Sequence, residues 1–169
     1  MKTKILFAAL VAALILTGSA KADWQDFSKD GFSIRMPGTP TTQEKDIPTP
    51  AGNMHMKLHI ASDADSGVVY MIAQVELPPI GGNSDDFLDG AQSGMIQGVN
   101  GKLVSQSKVT LGRHTGREIK ADAFDGKGDL RGQLFAINGK VYMLAVLSPK
   151  SVDASAATNQ FLGSFQVSE

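Results

Sequence analysis

Between Asn53 and Ala61 the chain alternates, with Met54, Met56, Leu58 and Ile60 at one parity and His55, Lys57 and His59 at the other. This period of two predicts a half-buried β-strand with core methionines and exposed histidines. The stretch from Val68 to Leu77 differs, because Val-Val-Tyr-Met-Ile-Ala is apolar at both parities. Val141 to Leu147 has the same character, and Leu134 to Ile137 nearly so. Strands that are apolar on both faces need cover on both, which predicts helices above and below a sheet in which these strands are central. The Met/His strand then lies nearer an edge.

Shorter strands are predicted over Trp24 to Phe27, Phe32 to Met36 and Thr42 to Ile47. Lys29-Asp30-Gly31 turns the first into the second, with Gly31 supplying a permissive φ. Pro37-Gly38-Thr39-Pro40 ends the second strand, and Pro48-Thr49-Pro50-Ala51-Gly52 ends the third. Lys102 to Leu111, Arg117 to Phe124 and a strand starting at Leu130 follow, the last two joined loosely through Asp125 to Asp129. Asn138-Gly139 predicts a type I′ hairpin, since that turn needs φ > 0 at both central residues.

Two helices interrupt this meander. The first starts with Asn83 or Ser84 as cap and carries Asp85 and Asp86 in its first turn, where the helix dipole favours negative charge. Leu88, Ala91, Met95 and Val99 share one face, and Asn100-Gly101 closes the helix. Gly90, Gly94 and Gly98 border that face and allow close approach to the sheet, or a homo-oligomer contact. The second helix is expected after Pro149, capped by Ser151, with Ala154, Ala157, Phe161 and Phe165 as its apolar stripe. No repeat or linker is visible, so residues 23–169 read as one α+β domain.

The first 22 residues stand apart: basic at the start, apolar without interruption from Ile5 to Leu16, and closing on Ala20-Lys21-Ala22. This is the pattern of a secretory signal peptide cleaved before Asp23. Its apolar core is 12 residues long, and a bilayer span takes about 20. A periplasmic or secreted protein with no membrane anchor after cleavage is therefore expected. Removing Lys2, Lys4 and Lys21 with the leader takes the formal net charge from −1 to −4, which gives no electrostatic case for nucleic acid. With no cysteine, the chain offers no disulfide, thiol nucleophile or thiolate metal site.

The candidate chemistry is sparse. His55 and His59 share a strand face, but four residues of strand separate their Cα atoms by about 13 Å, too far to share one ion. Ser62 to Gly67 and Asp125 to Asp129 lack the glycine and acidic positions of a calcium loop and read as polar hairpin turns. Pro78 to Asn83 leads from strand to helix without a phosphate-binding motif. Gly90-Ala91-Gln92-Ser93-Gly94 is wrongly spaced for a nucleophile elbow. In Gly112 to Glu118 a histidine, two arginines and a carboxylate lie together, which makes Arg113, His114 and Arg117 the candidate ligand residues for an anion.

Four segments recur in a recognisable order: Phe32-Ser33-Ile34-Arg35-Met36-Pro37-Gly38-Thr39-Pro40, Gly116-Arg117-Glu118, Leu134 to Ser148 around Asn138-Gly139, and Phe161-Leu162-Gly163-Ser164-Phe165. In this order the chain resembles the PsbP-like group of exported domains, whose fold is shared with a Ran-binding nucleotide-release factor. The resemblance implies a single-domain α/β/α sandwich around a central antiparallel sheet of about six to seven strands. It implies a non-enzymatic accessory or binding module and carries over no functional residue, no cofactor and no metal. The expected function is thus non-catalytic contact with a protein partner through a sheet edge or loops. The alternatives are a metal-binding protein using His55, His59 or His114, and a hydrolase of unrecognised type.

Overall fold

The computed structural model describes residues 23–49, 52–77 and 84–168. The leader, Pro50-Ala51, the segment from Pro78 to Asn83 and Glu169 lie outside the described residues. In chain order the elements are β1 (Trp24–Lys29), β2 (Phe32–Pro37), β3 (Thr41–Thr49), β4 (Gly52–Asp63), β5 (Val68–Glu76) and α1 (Ser84–Gly98). They continue with β6 (Lys102–Leu111), β7 (His114–Ala123), β8 (Gly128–Ile137), β9 (Lys140–Pro149), α2 (Ser155–Gly163) and β10 (Gln166–Val167).

Seven strands form a large sheet in the order β3-β4-β5-β9-β8-β7-β6, and every neighbouring pair is antiparallel. The strands that are apolar at both parities, β5 and β9, are inner neighbours, and the Met/His strand β4 is one in from the edge. β1, β2 and β10 form a separate three-stranded small sheet, in addition to the single central sheet that the sequence pattern predicts.

Alternation along β9 divides the interior in two. Val141, Met143, Ala145 and Leu147 join a cluster with Leu88, Ala91, Met95 and Val99 of the α1 segment and with the β4 row Met54, Met56, Leu58 and Ile60. Tyr142, Leu144 and Val146 join another with Phe32, Ile34 and Met36 of β2 and with Phe161, Leu162 and Phe165. The first cluster has helical cover, as expected. In the second, the small sheet does much of the covering and α2 adds Phe161 and Leu162 beside it.

Local chemistry explains the boundaries. Asn138 (φ 51°) and Gly139 (φ 73°) make the predicted I′ hairpin. The β1–β2 turn is of the same kind, with Asp30 as well as Gly31 in the left-handed region (φ 50° and 89°). β3 runs past Ile47 through Pro48, which pairs with Asn53; an edge strand tolerates proline because one row of N–H groups faces outward. α1 ends in a Schellman arrangement, with Gly101 N–H donating to Ile96 O and left-handed Asn100 N–H donating to Gln97 O. The second helix starts later than Ser151: Val152 N–H closes a turn onto Pro149 O, and Asp153 Oδ1 accepts from Ser155 N–H at 3.0 Å. These hydrogen bonds from Ser155 hold the Asp153 carboxyl below the usual range.

Candidate functional site

Register places a polar row across the second face of the large sheet. Lys57 of β4 lies opposite Gln74 of β5, and Gln74 lies opposite Tyr142 of β9. The β1–β2 turn closes over this row. Lys57 Nζ donates to Asp30 Oδ2 at 3.1 Å, and Gln74 Nε2 donates to the Asp30 carbonyl at 3.4 Å. The hydrogen bond from Lys57 lowers the Asp30 carboxyl, and the same contact raises the Lys57 ammonium. Burial raises the Tyr142 phenol, with the Asp30 charge adding to it and the Gln74 hydrogen bond opposing.

His59 sits one register step away and is fully buried. Its Nδ1 lies 2.8 Å from Thr42 Oγ1, while Nε2 has no hydrogen-bond partner among the described residues. The rings of Phe27 and Phe32 lie 4.9 and 5.7 Å from the imidazole, centroid to centroid. Burial lowers the His59 pKa, and Lys29 adds to that effect. Gln74 Oε1 is likewise buried without a partner. For His59 this corrects the expectation of an exposed histidine, whereas His55 is solvent-accessible. The alternation identifies which face His59 occupies, and tertiary docking of β1 and β2, drawn from 22 to 35 residues upstream, buries that face.

The remaining histidines are elsewhere. His55, at the outer end of β4, has Nδ1 2.8 Å from Asp46 Oδ1 and Nε2 3.7 Å from Glu44 Oε2. The two carboxylates take different ring nitrogens, so they do not converge with the imidazole on a common point. Among the described residues no cluster of three or more histidine or carboxylate side chains is placed to hold a metal ion.

The anion-loop candidates separate. Gly112 (φ 56°) and Arg113 form the tip of the β6–β7 hairpin, and His114 opens β7 opposite Leu111. Arg117 is three residues further along and therefore faces the opposite side of β7 from His114. Its guanidinium Nη1 reaches Asp89 Oδ1 at 2.6 Å and Gln92 Oε1 at 2.9 Å, tying β7 to α1. Glu118 serves the other face, accepting from Arg131 Nε at 3.2 Å and Gln133 Nε2 at 3.0 Å. The intervening Gly116 is required by packing, since a Cβ there would collide with the Phe135 ring and Leu134 O.

Two surface features remain. Ile47, Met54, Val75, Leu77, Phe87 and Met143 help line a shallow apolar pocket, which presents no titratable side chain among the described residues. The opposite edge is β6, exposed from Lys102 through Lys108 on both faces. A bulge between Leu103 and Ser105 leaves Val104 64% exposed, with Leu103 and Phe124 also open to solvent. Sequence patterning identified this strand without showing that its outer side lacks a neighbour; that follows only from the strand order.

No protein-family model and no curated protein matches the chain. Among solved structures it is similar to cyanobacterial PsbP (CyanoP) from Synechocystis sp. PCC 6803, with a TM-score of 0.57 at 13% identity, covering 90% of this chain and 96% of that one. A Pseudomonas aeruginosa protein of unknown function, PA94, described as a putative regulator, gives a TM-score of 0.40 at 9% identity over 76% of this chain and 84% of its own.

Proposed function

We propose that this chain, which has a PsbP-like fold, is an exported, non-catalytic accessory domain that holds a protein partner through β6. The observation that supports this reading is the edge itself: ten residues of strand with no neighbour on the outer side among the described residues and most of both faces in water. Unpaired backbone N–H and C=O groups are a template for strand addition, and Val104 and Leu103 offer apolar contacts beside them. Arg113 and His114 at the far end of β6 supply positive or hydrogen-bonding character for a partner's acidic side chain. The α/β/α sandwich of the PsbP-like group suits this role, with a rigid centre and function at its margins.

Export rests on the leader and is tested directly. The mass of the protein recovered from the cell envelope or medium should correspond to a chain starting at Asp23, and a retained leader would contradict it. For the contact strand, a photo-crosslinking residue at Val104 should yield one discrete adduct in living cells, and the same residue at Lys45 on the other edge should yield none. Equal labelling from both edges, or from neither, would overturn the assignment of β6. The metal-binding alternative has less behind it, because His55 is engaged by Asp46 and His59 lies under two phenylalanine rings.

A further inference from the structure

We propose that His59 is an acid-sensitive latch for the small sheet: with a neutral ring the β1–β2 hairpin sits closed over β4, and protonation of the ring releases it. Among the described residues the small sheet shares no strand pairing with the large sheet. Side chains hold it instead: Phe27, Phe32, Ile34 and Met36 by packing, and Asp30 through Lys57 and Gln74. A unit docked by side chains alone can open without breaking the ladder of the seven strands.

At the centre of that dock is a group that accepts a proton poorly while the dock is closed. A solvent proton adds to the ring nitrogen that lacks one, giving an imidazolium with two N–H donors. One donor reaches Thr42 Oγ1, and the nitrogen at the other position has no acceptor. The facing charges do not repair this. Lys29 at the end of β1 and Lys57 from β4 oppose a cationic ring. Asp30 from the turn and Glu44 from β3 favour it, but the Asp30 carboxylate is engaged by Lys57 and Glu44 stands on the exposed strand beside His55. Phe27, Phe32 and Ile72 opposite on β5 bring no charge, and the cation–π attraction of the two rings does not supply the missing acceptor. Opening the hairpin admits water to the free N–H, so acid favours the open form.

Hydrogen exchange tests this on the mature protein at pH 7.5 and 5.0, with rates corrected for intrinsic pH dependence. Protection of the amides from Phe27 to Met36 should fall about tenfold or more at the lower pH, while that of Val141 to Leu147 stays unchanged. His59→Leu should remove the response, and His55→Gln and His114→Gln should keep it. NMR titration of the wild-type ring signals provides a check that needs no variant: the hairpin change should share its midpoint with His59 and with neither other histidine. Equal hairpin protection at both pH values would overturn the latch. So would loss of protection in both sheets together, persistence of the response in His59→Leu, or a midpoint that follows His55 or His114.

Discussion

On one side of the large sheet, α1 lays Leu88, Ala91 and Met95 onto aliphatic and methionine side chains, and Gly132 of β8 makes room for Met95. On the other side the cover is aromatic and assembled from both ends of the described chain. Trp24 meets Tyr70 at 5.3 Å, Tyr70 meets Phe161 at 5.5 Å, and Phe165 stacks on Phe135 at 5.9 Å. Burial there pushes the Tyr70 phenol up to about 12, with the Asp63 charge adding to it. Buried polar groups follow the same division, since His59 and Gln74 lie on the aromatic side. One face is thus an apolar seal with the Arg117 tie at its margin, and the other is a joint between two sheets with buried polar groups inside it.

The division is broken most severely by deleting a ring. Phe161→Ala should cost about 4 kcal/mol in denaturant unfolding, and Leu134→Ala on the α1 side about 3 kcal/mol. If the aromatic side is a separable joint, Phe161→Ala should also lower the hydrogen-exchange protection of β2 more than that of β9. Uniform loss would show that the two faces respond as one. Gly116→Ala should cost up to about 3 kcal/mol, because the added methyl meets both a ring and an immovable backbone oxygen.

Acid should then discriminate between the faces. Burial in the folded state lowers the His59 pKa below its ordinary value of 6.5, so its contribution to stability is complete above that value and is lost as pH falls through the folded pKa. A urea-midpoint titration should show this loss in the wild type and a flatter profile in His59→Leu, whereas Met95→Leu on the other face should leave the slope unchanged. The smallest effect belongs to the surface tie between β7 and α1: Arg117→Gln should cost about 1 kcal/mol or less, measured by thermal unfolding.

These asymmetries explain what was legible in the sequence. The α1 face was readable because each of its parts is local: β4 alternates, β5 and β9 are apolar at both parities, and Leu88, Ala91, Met95 and Val99 recur at helical spacing. Asn138-Gly139 fixed a hairpin for the same reason. The second face was not readable residue by residue, since nothing in Phe27 or Phe32 says which strand they will cover. His59 therefore passed for an exposed residue. Arg113, His114 and Arg117 looked like one cluster because they are close in sequence, but a strand sends His114 and Arg117 to opposite faces. The lone edge of β6 was hidden for a related reason, being a property of strand order and not of its own ten residues.

The small sheet also imposes an order of events. β2 is flanked by β1 on one side and by Gln166 and Val167 on the other, and Ser168 N–H closes onto Gly31 O at 2.8 Å. Phe165, which fills the space between Phe32, Phe135 and Tyr142, belongs to the same late stretch. A chain made from its N-terminus thus carries its first hairpin through most of synthesis without the strand that completes it. Loop closure over more than a hundred residues is slow compared with local pairing. The aromatic joint should consequently be completed after the local hairpins, and until β10 arrives β2 has an open edge; pulse-labelling hydrogen exchange during refolding should show β2 protected later than β8 and β9.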